Sequence, residues 1–322
     1  MAEKDQKLAN EDELFTFIDH DAIESEKIIA PRYSYWKSVF RVFFKKKVNW
    51  VLLIMFVALI VCSFVIPIFC KYDPNENVTN AIMFNKSPAE AMALTGGFSF
   101  KWCLGSGGLG NSIFYGIWAS ARTSILLAVI CAAINMTIGI LIGAVWGYSK
   151  SFDHVMLVIY NIIANVPYIL MISVLVYIIG SGFWSFVFSL TITGWMSIAY
   201  FFRTQVMIIR DREYSLASRC LGTPITRIVS KNILPFMTSV IVTLLATELP
   251  SYISMEVFLS FIGIGLSASV PSLGRMIQEA QTAFLIYPWE FWAPVAIAAL
   301  VTIILYVLGQ NLADASDPRT HM

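Results

Sequence analysis

Six stretches of this chain, at about 49–69, 123–148, 155–179, 183–203, 236–259 and 291–312, are predominantly apolar over about twenty residues or more. A hydrocarbon core about 30 Å thick takes about 20 residues of α-helix to cross. No water is present there to satisfy the backbone, so segments of this length cross as helices rather than strands. The pattern predicts an all-α integral membrane protein with six transmembrane helices. Composition agrees, with 57% of the 322 residues hydrophobic and 13% charged, outside the usual range of a soluble domain. A formal net charge of +1 leaves no basic surface large enough to displace many phosphate counterions, which argues against a nucleic-acid partner.

Orientation follows from where the cations lie, because Lys and Arg near span ends stay cytoplasmic. Lys37, Arg41, Lys45, Lys46 and Lys47 precede the first stretch. The loop after the fourth carries Arg210, Arg212, Arg219, Arg227 and Lys231 against Asp211 and Glu213. Lys150 and Arg319 agree, and both termini are expected in the cytoplasm. Residues 1–32 read as an acidic cytoplasmic tail, and 33–48 as an amphipathic helix in the inner interface. In the latter, Trp36, Val39, Phe40, Phe43 and Phe44 recur at helical spacing, with membrane lipid as the expected partner and a protein partner as the alternative. Residues 49–70 form an uncleaved first transmembrane helix, too long for a signal-peptide core.

Residues 71–120 are expected outside. Their run from Gly105 to Gly110 lacks the Lys-Ser/Thr ending of a phosphate loop and reads as a turn. The acceptor-type triplets starting at Asn77 and Asn85 receive no functional weight. Residues 121–313 make a five-helix core that contains a cytoplasmic loop at 210–235, and 314–322 a cytoplasmic tail. The cysteines lack zinc-type spacing, so no metal site is expected, while pairing of the outward-facing Cys70 and Cys103 is left open.

The loop at 210–235 is punctuated as two short helices. The first is expected to start at Asp211 as N-cap and stop at Gly222, and the second to be capped by Thr223 with Pro224 at its first position. Pro235 then suits the first turn of the fifth span. Leu216, Ala217, Cys220 and Leu221 share one side of the first helix, and Ala217 and Ser218 permit close approach of another backbone. Either something docks there or the face packs back on its own bundle.

In this register the loop resembles the coupling-loop signature of ABC importer permeases, Glu-Ala-Ala, three residues, Gly, about ten residues, then Ile-Leu-Pro. Leu216, Ala217 and Ser218, then Gly222, then Ile233, Leu234 and Pro235 match it. The signature's glutamate falls on Leu216, so its role does not carry over, and Glu213 one turn earlier is the candidate substitute. From about Pro31 onward the chain is similar to the C-type subunit of oligopeptide and dipeptide importers. The matches include Leu104-Gly105-Ser106, Ala121-Arg122-Thr123-Ser124, the stretch from Leu259 to Gly265, Pro271 to Gly274, and Asn311 to Asp314.

The resemblance implies a type I ABC importer permease fold in a bacterial plasma membrane. It implies a second related permease subunit, two ATPase subunits carrying ATP and Mg, and an extracellular peptide-binding protein. The residues themselves support part of this, since the chain has no Walker-type phosphate loop and energy must come from another polypeptide. Neither an enzyme nor a cofactor of its own is expected. A permease of the same family for nickel or another small solute is the alternative, with a proton-coupled secondary transporter and a non-transporting sensor further away.

Polar residues inside the spans are the remaining candidates. A carboxylate at mid-bilayer costs about 2.5–3.5 kcal/mol, which turns Glu248 toward the bundle interior, on one face with Ser251, Tyr252 and Met255. A substrate path and an interhelical hydrogen bond are the two readings. Glu256 is expected near the external surface. Asn161, Asn165 and Pro167 interrupt the third span, and Asn165 joins the candidate path.

Overall fold

The computed structural model describes residues 34–73 and 81–317. The acidic tail, Pro74, the triplet at Asn77 and Arg319 lie outside them. Among the described residues the chain is helical, with one isolated antiparallel bridge, Ser106 to Ser112. Helix α1 is Tyr35–Lys45, and α2, Lys47–Phe69, follows after a break at Lys46, whose extended backbone turns the chain. Val39 and Phe43 are buried whereas Trp36 and Phe40 are exposed, so the aromatics of α1 divide between two faces.

The segment that follows α2 is anchored by local polar chemistry. Helix α3, Pro88–Leu94, starts in a capping box, with Ser87 accepting from the Glu90 amide and Glu90 from the Ser87 amide. The glycine run turns as expected, and Gly105 and Gly110 take φ of 81° and 72°. Asn111 Nδ2 donates to the Tyr72 hydroxyl at 2.7 Å. Burial pushes that hydroxyl's pKa up to about 12. Cys70 and Cys103 are both free thiols, so the pairing left open by the sequence is not formed.

Helix α4, Ile113–Tyr148, begins well before the expected start at 123. Ser112 accepts from the Tyr115 amide at 3.3 Å and caps it there. At 36 residues it is about 54 Å long, more than a bilayer core requires. The third stretch is not one rod. Helix α5, Lys150–Ala164, and α6, Tyr168–Ile179, meet at 79°. Pro167 has no N–H to continue the ladder and pushes Val166 out of the helical region, while Asn165 folds back, its Nδ2 donating to the Asn161 carbonyl at 2.5 Å.

Helix α7 is Phe183–Arg210, α8 Glu213–Cys220 and α9 Ile225–Ile228. A π-helical turn, Val229–Ile233, and a 3-10 turn, Leu234–Met237, lead directly into α10, Thr238–Phe261. Helix α11 is Leu273–Ala280 and α12 Pro288–Ser316, so Asp314, placed in the tail by the sequence reading, is still helical. By length and composition α2, α4, α7, the run Ile225–Phe261 and α12 can cross a membrane, and the bent pair α5–α6 supplies a sixth candidate.

Glycines set the helix spacing. Gly139, Gly143 and Gly147 recur every fourth residue along α4 and face α7, where a Cβ would lie 2.7 Å from Ile198 Cγ2, 2.5 Å from the Ala199 oxygen and 2.6 Å from the Arg203 oxygen. On α12, a Cβ at Gly309 would lie 2.7 Å from Ala246 Cα of α10. In lipid, where apolar burial offers little drive to associate, such backbone approach holds a bundle through dispersion. A charged clamp supports the α4–α7 seam. Arg203 of α7 forms a bidentate pair with Asp153 of α5, its second nitrogen at 2.8 Å, and Trp146 Nε1 donates to the same carboxylate at 2.7 Å. The guanidinium also stacks over the rings of Trp146 and Tyr200.

Candidate functional site

The loop between α7 and α10 is a projecting helix on a rooted base. Helix α8 starts at Glu213, one residue after an extended Arg212 rather than after Asp211, whose carboxylate pairs with Arg210 at 3.0 Å and is held below the usual range by that guanidinium. Its end is the expected one: Gly222 takes φ of 73°, a left-handed geometry in which a side chain is strained. Pro224, not Thr223, occupies the cap of α9, its backbone extended because the helix begins after it at Ile225.

One side of α8 is tied down. Ser215 is buried, Asn232 Nδ2 donates to Ser218 Oγ at 2.8 Å, Tyr214 packs on Phe236, and Arg219 lies over Tyr148. The other side is bare. Leu216, Ala217 and Cys220 are exposed, and Leu221 is 84% exposed. The apolar face of α8 therefore does not pack back on its own bundle. Beneath it Ile228, Ile233 and Met237 are fully buried and cluster with Tyr148, Phe202 and Val206 of α4 and α7. Leu234 packs against the same cluster, and Pro235 lies exposed in the 3-10 turn ahead of α10, a step before the expected position.

Deeper in the bundle a cavity of about 410 Å³ opens where the α5–α6 break faces α7 and α10. Glu248, Ser251, Tyr252 and Met255 all line it, together with Tyr160 and Tyr168. Asn165 does not: it is exposed and its amide is spent on capping α5. Asn135 of α4, missed by the sequence reading, is fully buried and donates to the Tyr252 hydroxyl at 2.6 Å. Tyr252 stands one turn from Glu248 on α10, and both line the cavity. The cost argument that singled out Glu248 applies equally to an amide in mid-span and was signal enough to find Asn135. Tyr168 follows the helix-breaking Pro167, and its hydroxyl donates to the Leu190 carbonyl at 2.9 Å.

Glu256 lies in the last two turns of α10 and is fully buried, so it is not a solvated group. Ser124 Oγ of α4 and Ser260 Oγ donate to it at 2.9 and 3.0 Å, and Gly274, at the start of α11, packs against the same carboxylate and closes the cage. Gly274 is required there, since a Cβ would lie 2.7 Å from Val257 Cα.

Residues 135–322, which include α8, the cavity and Glu256, match the family described as binding-protein-dependent transport system inner membrane component. The chain belongs to this family. Residues 34–88 separately match the N-terminal transmembrane domain of oligopeptide transport permease C. The chain is 47% identical to the oligopeptide transport system permease protein AmiD of Streptococcus pneumoniae, covering 96% of this chain and 98% of the relative. It is 33% identical to the oligopeptide permease OppC of Bacillus subtilis over 93% of this chain and 94% of the relative. Identity to the dipeptide permease DppC of the same species is 30%, over 96% and 93%. With its apolar helices, this permease is a multi-pass protein of the bacterial plasma membrane.

Proposed function

We propose that this permease forms one half of the membrane path of an ATP-driven peptide importer and is moved by ATPase subunits that dock on α8. The observation that carries the peptide assignment is the near full-length match, at 47% identity, to an oligopeptide transport permease. The nickel and small-solute alternative has no comparable support.

The bare side of α8 supports the coupling role. An apolar helix face held out from the bundle fits a groove on a partner. Glu213 is exposed at the start of α8, available to a basic group on that partner. Because Ile225–Phe261 runs on without a loop, and Ile228, Ile233 and Met237 root it between α4 and α7, force on α8 reaches the bundle as rigid-body motion. ATP and Mg belong to the ATPases. A second related permease would complete the path, and an extracellular peptide-binding protein would deliver to it. Glu248, Ser251, Tyr252 and Met255 are assigned to the path wall, and Asn165 to the hinge of the bent helix.

The test is to reconstitute the permease with a second permease, two ATPase subunits and a binding protein in proteoliposomes and measure ATP hydrolysis and uptake. Peptide is expected to stimulate both. Stimulation by nickel with no response to peptide would reject the peptide assignment.

A further inference from the structure

Two carboxylates stand two turns apart on α10, and their surroundings are opposite. Glu256 accepts from two serine hydroxyls inside the bundle. Glu248 faces a cavity, with Tyr252 one turn away on the same wall. No Lys, Arg or His is among the described residues that line that cavity, and Glu248 is its one charged lining group. An ionised carboxylate is acceptor-only, with room for about four hydrogen bonds. A donor-rich cation entering the cavity would complete them.

The wall is arranged for such a guest. Asn135, fixed in the core, donates to the Tyr252 oxygen, which leaves the single phenolic proton for the cavity that Glu248, one turn away, also lines. Tyr160, Tyr168 and Tyr252 surround the same space with aromatic rings, whose faces attract an ammonium. A cavity of about 410 Å³ is also within the size range of small-ligand sites. Resting on the reading of the chain as a peptide permease, we propose that Glu248 binds the positively charged amino terminus of the peptide in transit, with Asn135 and Tyr252 as its positioning residues. With no basic group in the wall, the peptide's terminal carboxylate is repelled, so the peptide enters this half of the path amino end first.

The test uses the complete reconstituted complex and three peptides: one with a free amino terminus and no other cation, its N-acetylated form, and an N-acetylated form carrying one lysine. For each, the wild-type initial uptake rate is divided by that of Glu248→Gln. The binding protein is common to both complexes, so its own preference cancels. The expected ratio is about tenfold for the free amino peptide, as for loss of a charge-assisted hydrogen bond, with both acetylated peptides unaffected. Tyr252→Phe, which keeps the ring, is expected to show the same selectivity with a smaller loss. Equal ratios for free and acetylated peptides, or a loss confined to the lysine peptide, overturn the amino-terminal assignment. A Glu248→Gln complex that falls apart, together with a Tyr252→Phe complex that does not discriminate, overturns it in favour of helix cohesion. A wild-type complex that takes up none of the three removes the peptide reading as well.

Discussion

Ser124 on α4 donates a hydrogen bond to the Glu256 carboxylate on α10 at 2.9 Å and accepts one from the Leu273 amide at the start of α11 at 3.2 Å. One hydroxyl thus ties α4 to two helices more than a hundred residues later. Replacing Glu256 by Ala strands the donors of Ser124 and Ser260, each a loss of about 1–3 kcal/mol if unrelieved. The expected outcome is a lowered melting temperature of the detergent-purified permease complex. Unchanged melting would show that the cage does not hold α11.

Gly143→Leu is expected to disrupt the bundle, since even its Cβ would meet the Ala199 oxygen at 2.5 Å. Overpacking of this kind costs about 1–3 kcal/mol or more. Gly182→Ala is the control, because a Cβ there finds only Ser185 Oγ at 3.7 Å. The yield of monodisperse complex in size-exclusion chromatography should fall for the first variant and hold for the second.

At Gly222 the structure separates strain from docking. No atom lies within 4 Å of a Cβ there, so a bulky side chain meets nothing in this chain. Gly222→Asn, which tolerates left-handed geometry, is expected to keep most ATP-dependent uptake. Gly222→Trp is expected to abolish uptake while membrane insertion, read by fractionation, stays normal. Full uptake in the Trp variant would remove α8 as the docking element.

The Arg203–Asp153 pair has side chains only 11% and 17% exposed. Removing one partner leaves a largely buried charge, and Asp153→Ala is expected to destabilise by about 3–5 kcal/mol. Arg203→Lys should not substitute, because an ammonium can neither bridge both oxygens nor stack on Trp146 and Tyr200. A double-mutant cycle on thermal stability gives the coupling, and additivity of the two losses would deny the pair its role.

Local chemistry made part of this permease readable in advance. The spans follow from runs of apolar residues, the end of α8 from one glycine, and the inward direction of Glu248 from the cost of charge in lipid. The bare face of α8 was visible as a pattern too, although whether it was bare or covered was not. Even the departure at Leu216 was legible, and the structure gives it meaning: an exposed leucine now stands where the signature has an acid, on a face already apolar at Leu221.

What the sequence by itself determined, then, was which segments are helices, which side they face and what kind of machine they belong to, because each of these depends on residues within a few turns of one another. Tertiary structure alone decided that Gly139, Gly143 and Gly147 meet α7, that Asn135 holds Tyr252 in the wall Glu248 shares, and that Glu256 is caged while Glu248 is open. Those facts depend on which helices are neighbours. Apolar periodicity does not record that in a bundle whose helices are all greasy, and it is settled only when backbones approach closely enough for a single Cβ or hydroxyl to matter.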